Sequence, residues 1–192
     1  MNSILQYMSE GTVSFSISPL QAAKRELIRS LNDLNTASSF QLIFYNHEHV
    51  VYQPSRKAQM IKATKSSIYA ATKFVEEMPG TGNTYHLEPL QVAINLRPDV
   101  IYLMTDGEEK DDPTEYQLAQ LKRLNAGRAK IYVIQFCMDA APRSSLVKLA
   151  EDNGGKHVFI NISQLAPKLP GDPSAPPVEV IPPAANRMMK AP

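Results

Sequence analysis

The sequence has no tryptophan and a single cysteine, Cys137. One cysteine excludes an intrachain disulfide. Its place at the end of the apolar run Ile131-Tyr-Val-Ile-Gln-Phe-Cys reads as a small buried hydrophobe rather than a reactive thiol. No apolar run approaches the roughly 18 residues needed to span a bilayer. The opening Met1-Asn-Ser-Ile-Leu-Gln-Tyr-Met has no basic start and no long apolar stretch, so it does not read as a secretory signal. An excess of charge of one sign is also missing, with 20 basic against 19 acidic side chains. That balance argues against nucleic acid or an anionic membrane surface as partner. A GxGxxG fingerprint, a G-x-S-x-G elbow and a Cys/His metal cluster are all absent. Taken as it stands, the chain reads as soluble and cytoplasmic.

What is present is an alternation of helix and strand patterns over 192 residues, enough for one α/β domain with a sizeable core. Ser18-Pro19 makes a cap and first turn, and Leu20, Ala23, Leu27, Leu31 and Leu34 follow on one helical face. Phe40 to Tyr45 predicts a strand, and His49 to Gln53 an edge strand paired with it through the Asn46-His47-Glu48 turn. Ile61, Thr64, Ile68, Ala71 and Val75 predict a second helix from about Ser55 to Glu77, and Leu87, Leu90 and Ile94 a third. A strand over Asp99–Thr105 precedes Asp112-Pro113, which reads as the start of a fourth helix carrying Leu118, Leu121 and Leu124. Lys130 to Cys137 is the next strand. Pro142 opens a last helix that ends at Gly154-Gly155, and His157 to Ile160 is the final strand. Strands separated by helices of this length imply crossover units and a mostly parallel sheet. Eight of the fifteen prolines fall from Pro167 onward, so that segment reads as an extended, disordered tail without a clean basic-flanked P-x-x-P.

Asp106 stands where the apolar run Val100-Ile-Tyr-Leu-Met breaks off, followed by Gly107. A buried parallel strand delivers such a carboxylate to the sheet edge where ligands of α/β folds gather. Asp-Gly is equally a common turn pair. The nearby Pro79-Gly-Thr-Gly-Asn-Thr84 has the look of a phosphate-cradling loop, but Asn83 replaces the lysine and Glu77 the first glycine. His47 and His49 read as solvated turn residues, and His86 and His157 have no partner that the sequence reveals. An enzymatic reading remains: a small Rossmann-like hydrolase or phosphotransferase using Asp106 with the acidic run Glu108-Glu109-Lys110-Asp111-Asp112, a run that otherwise reads as a solvated loop and helix cap.

The chain resembles the von Willebrand factor type A domains. The resemblance rests on Ala-Ala-Lys-Arg-Glu-Leu at 22–27, Phe-Gln-Leu-Ile-Phe-Tyr-Asn at 40–46 and Gly-Asn-Thr at 82–84. It continues with Leu-Arg-Pro-Asp-Val-Ile-Tyr-Leu-Met-Thr-Asp-Gly-Glu at 96–108, the strand at 130–136 and Leu-Val-Lys-Leu-Ala-Glu-Asp-Asn-Gly-Gly at 146–155. Membership implies a three-layer α/β sandwich: a mostly parallel central sheet with one antiparallel edge strand and helices on both faces. It also implies a metal-ion-dependent adhesion site that binds protein partners, the cation receiving an acidic side chain of the partner. Thr84 and Asp106 match two elements of that site. The D-x-S-x-S of the first strand has no match. Ser14-Phe-Ser16-Ile-Ser18 keeps its spacing without the aspartate, which leaves Ser16 and Ser18 as the remaining candidate ligands; alternatively Met8 aligns with the methionine after the motif, and Ser3 to Tyr7 replace it. Either register costs the site a carboxylate, so Mg²⁺ is expected to bind weakly or not at all. The organisation implied is a degenerate segment over 1–18 in place of the first central strand, a type A-like domain over 19–165 and a proline-rich tail over 166–192. The function implied is a non-enzymatic protein-binding module with an incomplete adhesion site. A second reading takes the chain as an N-terminally truncated piece of an intact Mg²⁺-dependent binding protein.

Overall fold

The computed structural model describes residues 18–46, 49–55, 58–79, 85–106, 112–137 and 144–162. Helix α1 (Pro19–Asn32) begins where Ser18 caps it. The Ser18 hydroxyl accepts the Gln21 N–H, and the Gln21 side chain accepts that of Ser18. Pro19 sits in the first turn, where a missing N–H costs nothing.

The strand expected over 40–45 is divided. Strand β1 (Ser39–Phe40) pairs antiparallel with β4 (Ile61–Lys62), whereas β2 (Ile43–Tyr45) pairs antiparallel with β3 (His49–Val51). Between them Gln41 turns its own amide to the backbone, accepting from Leu42 N at 2.7 Å and donating to Gln59 O at 2.8 Å. Helix α2 (Lys65–Glu77) starts at Lys65, not near Ser55. Thr64 and Ser67 form its capping box, and Ile61, expected on its stripe, belongs to β4.

Helices α3 (Leu87–Asn95), α4 (Glu115–Asn125) and α5 (Ser145–Asp152) alternate with the strands β5 (Val100–Thr105), β6 (Lys130–Cys137) and β7 (His157–Asn161). These three strands are parallel, in the order β5-β6-β7, with Val100 opposite Lys130 and Val133 opposite His157. The start of α4 differs from expectation. Thr114, not Asp112, is its cap, and the Asp112 carboxylate instead accepts Ser145 N of α5 at 2.7 Å.

Side chains alternate across β6, which puts a layer of helix on each face. Ile131 and Val133 pack with Ile101, Leu103 and the inward residues of α3, α4 and α5. Ile134 and Phe136 pack on the other face with Ala22 and Ala23 of α1. The architecture is therefore α/β with a parallel sheet covered on both sides. The central first strand and the proline-rich tail expected from the sequence lie outside the described residues, apart from Ser18. Among the described residues, the strand partner of β5 is β6. No helix there is long and apolar enough to cross a membrane.

Candidate functional site

Three elements converge on the carboxyl edge of β5. The strand anchors its end by burying Ile101, Leu103 and Thr105 on one face, and Asp106 follows, half-buried. From β2 comes Tyr45, whose hydroxyl lies 3.1 Å from His86 Nδ1 and 3.4 Å from the Met104 carbonyl. From the start of α3 comes His86, 2% exposed, its ring edge-on to Tyr45 with centroids 5.6 Å apart. Tyr85 N donates to Asn46 O, which ties the entry of α3 to the end of β2.

One hydroxyl proton cannot serve both His86 and Met104. A relay in which His86 Nδ1–H donates to Tyr45, and Tyr45 donates to Met104 O, uses that proton once. Burial holds the Tyr45 hydroxyl far above the ordinary phenol range. The negative charge of Asp106 pushes it further up, and a hydrogen bond with Thr105 opposes them. Tyr45 thus keeps its hydroxyl proton, beside the buried imidazole of His86.

Of the four residues named as candidate ligands, Ser18 and Asp106 fall among the described residues; Ser16 and Thr84 do not. Ser18 stands at the head of α1, whose Ala22 and Ala23 pack on the carboxyl half of β6. Both residues therefore lie toward the same end of the sheet. The Ser18 hydroxyl is engaged with Gln21 N. Among the described residues no group of three or more His, Cys, Asp or Glu side chains is placed to hold a metal ion. The phosphate-like loop at 80–84 and residues 107–111 lie outside the described residues.

Tyr45 and His86 are the members of this site that sequence reasoning missed. Their signal is positional: a tyrosine closing a strand just before Asn46, and a histidine immediately before a helix. His157 has a partner too, with Nε2 3.0 Å from Oε1 of the buried Gln135.

No family model matches the chain. In sequence it is 26% identical over 157 residues to inter-alpha-trypsin inhibitor heavy chain H4 of Homo sapiens, a match taking in 74% of this chain and 16% of that protein. Among solved structures, a von Willebrand factor type A protein from Catenulispora acidiphila superposes with a TM-score of 0.64 at 22% identity, over 76% of this chain and 35% of that one. The chain thus spans well under half the length of either. The parallel sheet, the helices on its two faces and the aspartate at its carboxyl edge follow in the expected order, and the chain has the α/β fold of that von Willebrand factor type A protein.

Proposed function

We propose that this domain is a non-enzymatic protein-binding module whose contact surface centres on Asp106 at the carboxyl edge of β5. The observation that carries this is the half-buried carboxylate on a rigid strand end, backed by a neutral tyrosine and a buried histidine. A fixed, partly accessible charge suits recognition.

The donor set decides what a cation would find. Mg²⁺ wants several hard oxygens and keeps waters of its own. Asp106 supplies one carboxylate, and the Ser18 hydroxyl is already accepting from the backbone; Ser16 and Thr84 would have to supply the rest as neutral hydroxyls. This set fits a weak cation site only. A loaded site would receive an acidic side chain of the partner. Without a cation, Asp106 would instead favour a lysine, an arginine or a hydrogen-bond donor of the partner.

Isothermal titration of Mg²⁺ into the full chain and into Asp106→Ala tests the site. Affinity weaker than about millimolar in both is expected. Binding tighter than that, abolished by Asp106→Ala, would overturn the weak site and favour an intact Mg²⁺-dependent adhesion module. ATP or phosphomonoester turnover lost in the same variant would overturn the non-enzymatic reading.

A further inference from the structure

The sheet face under α3, α4 and α5 changes character toward its carboxyl end. Ile101, Ile131, Leu103 and Val133 are apolar core there. One step further along, Thr105 and Gln135 lie opposite each other, each 1% exposed. Strand alternation places His157 on this same face, because it lies opposite Val133. Its Nε2 is 3.0 Å from Gln135 Oε1. An amide oxygen only accepts, so the neutral ring carries its proton on Nε2 and leaves Nδ1 as an acceptor.

The head of α5 covers the same end. Helix α5 packs on β6 and β7 and runs back toward the start of β7, so Ser145 stands on the carboxyl side. Asp112 is fastened to that head. Its Oδ2 accepts Ser145 N at 2.7 Å, and Ser145 Oγ donates to Pro113 O at 2.7 Å. The other oxygen, Oδ1, is buried and has no hydrogen-bond partner among the described residues. A buried carboxylate oxygen without a donor is costly and calls for a reason. The charged groups on the elements packed against β7 do not supply that donor. Lys148 of α5 reaches Glu115 and Asp152, and Asp152 also holds Lys122. Glu151 of α5, Lys130 of β6 and Lys156 beside His157 are exposed. The charge of Asp112 does act on the His157 ring, against the burial that disfavours a charged imidazole.

We propose that Asp112 and His157 form a proton-operated latch at the head of α5. When the ring takes a proton from solvent, Nδ1–H donates to Asp112 Oδ1 while Nε2–H keeps its bond to Gln135. The latch ties β7, through one carboxylate, to the head of α5 and the entry to α4. Asp112 stands at the far end of the connection that leaves β5 at Asp106. Acid therefore adds a hold on that end and neutralises one negative charge on the carboxyl side of the domain. The latch does not depend on what Asp106 binds. The test is nuclear magnetic resonance of the isotope-labelled full chain, titrated from about pH 7.5 to 5, across the ordinary histidine range. Below the His157 midpoint, the parent chain is expected to show an Nδ1–H proton of that ring slow to exchange with water. In Asp112→Asn, whose amide oxygen can still accept Ser145 N, the signal is lost and the midpoint falls by about one pH unit. The Ser145 amide, bonded to the same carboxylate, is expected to titrate with His157 in the parent and to stop doing so in His157→Gln. A ring proton that exchanges freely in the acid parent would overturn the latch, whether or not Asp112→Asn folds. So would equal midpoints in parent and Asp112→Asn, or a Ser145 titration unchanged by His157→Gln.

Discussion

Asn125 is fully buried, and its amide is used at both ends. Nδ2 donates to Ala129 O at 2.7 Å and to Asn153 Oδ1 at 2.8 Å, while Oδ1 accepts Ala129 N at 2.9 Å. The side chain closes the turn from α4 to β6, where Ala126 and Gly127 take left-handed conformations, and locks it to the end of α5. Asn125→Ala strands several buried groups at once and is expected to cost about 3 kcal/mol in urea unfolding. His157 sets a different term. Burial lowers the pKa of its imidazole from the ordinary value, opposed in part by the Asp112 carboxylate. The folded chain then holds that proton less tightly than the unfolded chain, so stability falls as pH drops below about 6.5 toward the depressed value. Asp152, lowered chiefly by its hydrogen bond from Lys122, loses its contribution only in the carboxylate range below that. Thermal melts at pH 7.5 and 5.0 should therefore show a smaller acid loss for His157→Gln than for the parent chain. Equal losses would assign the acid sensitivity elsewhere.

At the scale of elements, Gly155 fixes how β7 enters the sheet. A Cβ there would sit 1.9 Å from the Ile131 carbonyl oxygen, which is backbone and cannot swing away. Gly154, at φ +67°, has open space around it. Gly154→Ala should cost about 1 kcal/mol through backbone strain alone. Gly155→Ala should cost several times more, because β6 or β7 must shift; comparable midpoints for the two variants would contradict this close approach. The helix stop at Gly154-Gly155 was legible as punctuation, although the contact with Ile131 was not. The same division runs through the rest of the fold. Apolar periodicity located β5, β6 and the stripes of α1, α4 and α5, because burial against one face writes a regular spacing. It failed at α2, since Ile61 and Ile68 are also seven residues apart when the first sits in a strand. Thr64-x-x-Ser67 carried the true start, and Thr64→Ala should destabilise by about 1 kcal/mol. At the break between β1 and β2, Gln41 bonds Gln59, a contact across 18 positions with no local signature.

Across the described residues, the apolar interior has two large bodies and a smaller third cluster between them. One joins α3, α4 and α5 to the β5–β7 sheet; the other joins α1 and α2 to β1 and β2. Helix α1 bridges them through Ala22 and Ala23, and Tyr45 bridges them at the carboxyl edge by packing on the first body from β2. Asp106 was legible at that edge because a strand ending in a carboxylate is a local pattern. Tyr45 and His86 were not, because they meet across 41 positions of sequence. Tyr45→Phe separates the two contributions of that bridge. The ring still packs, but His86 and the Met104 carbonyl lose their hydroxyl partner in a buried place, at a cost of about 1–3 kcal/mol. If the bridge is one coupling among several, urea unfolding should remain a single transition with a lower midpoint and an unchanged slope. A shallower slope would mean that the β1–β4 and α2 body opens on its own, since the slope follows the surface exposed in the cooperative step. The measurement therefore shows whether the hydroxyl adds stability to one folding unit or makes two units into one.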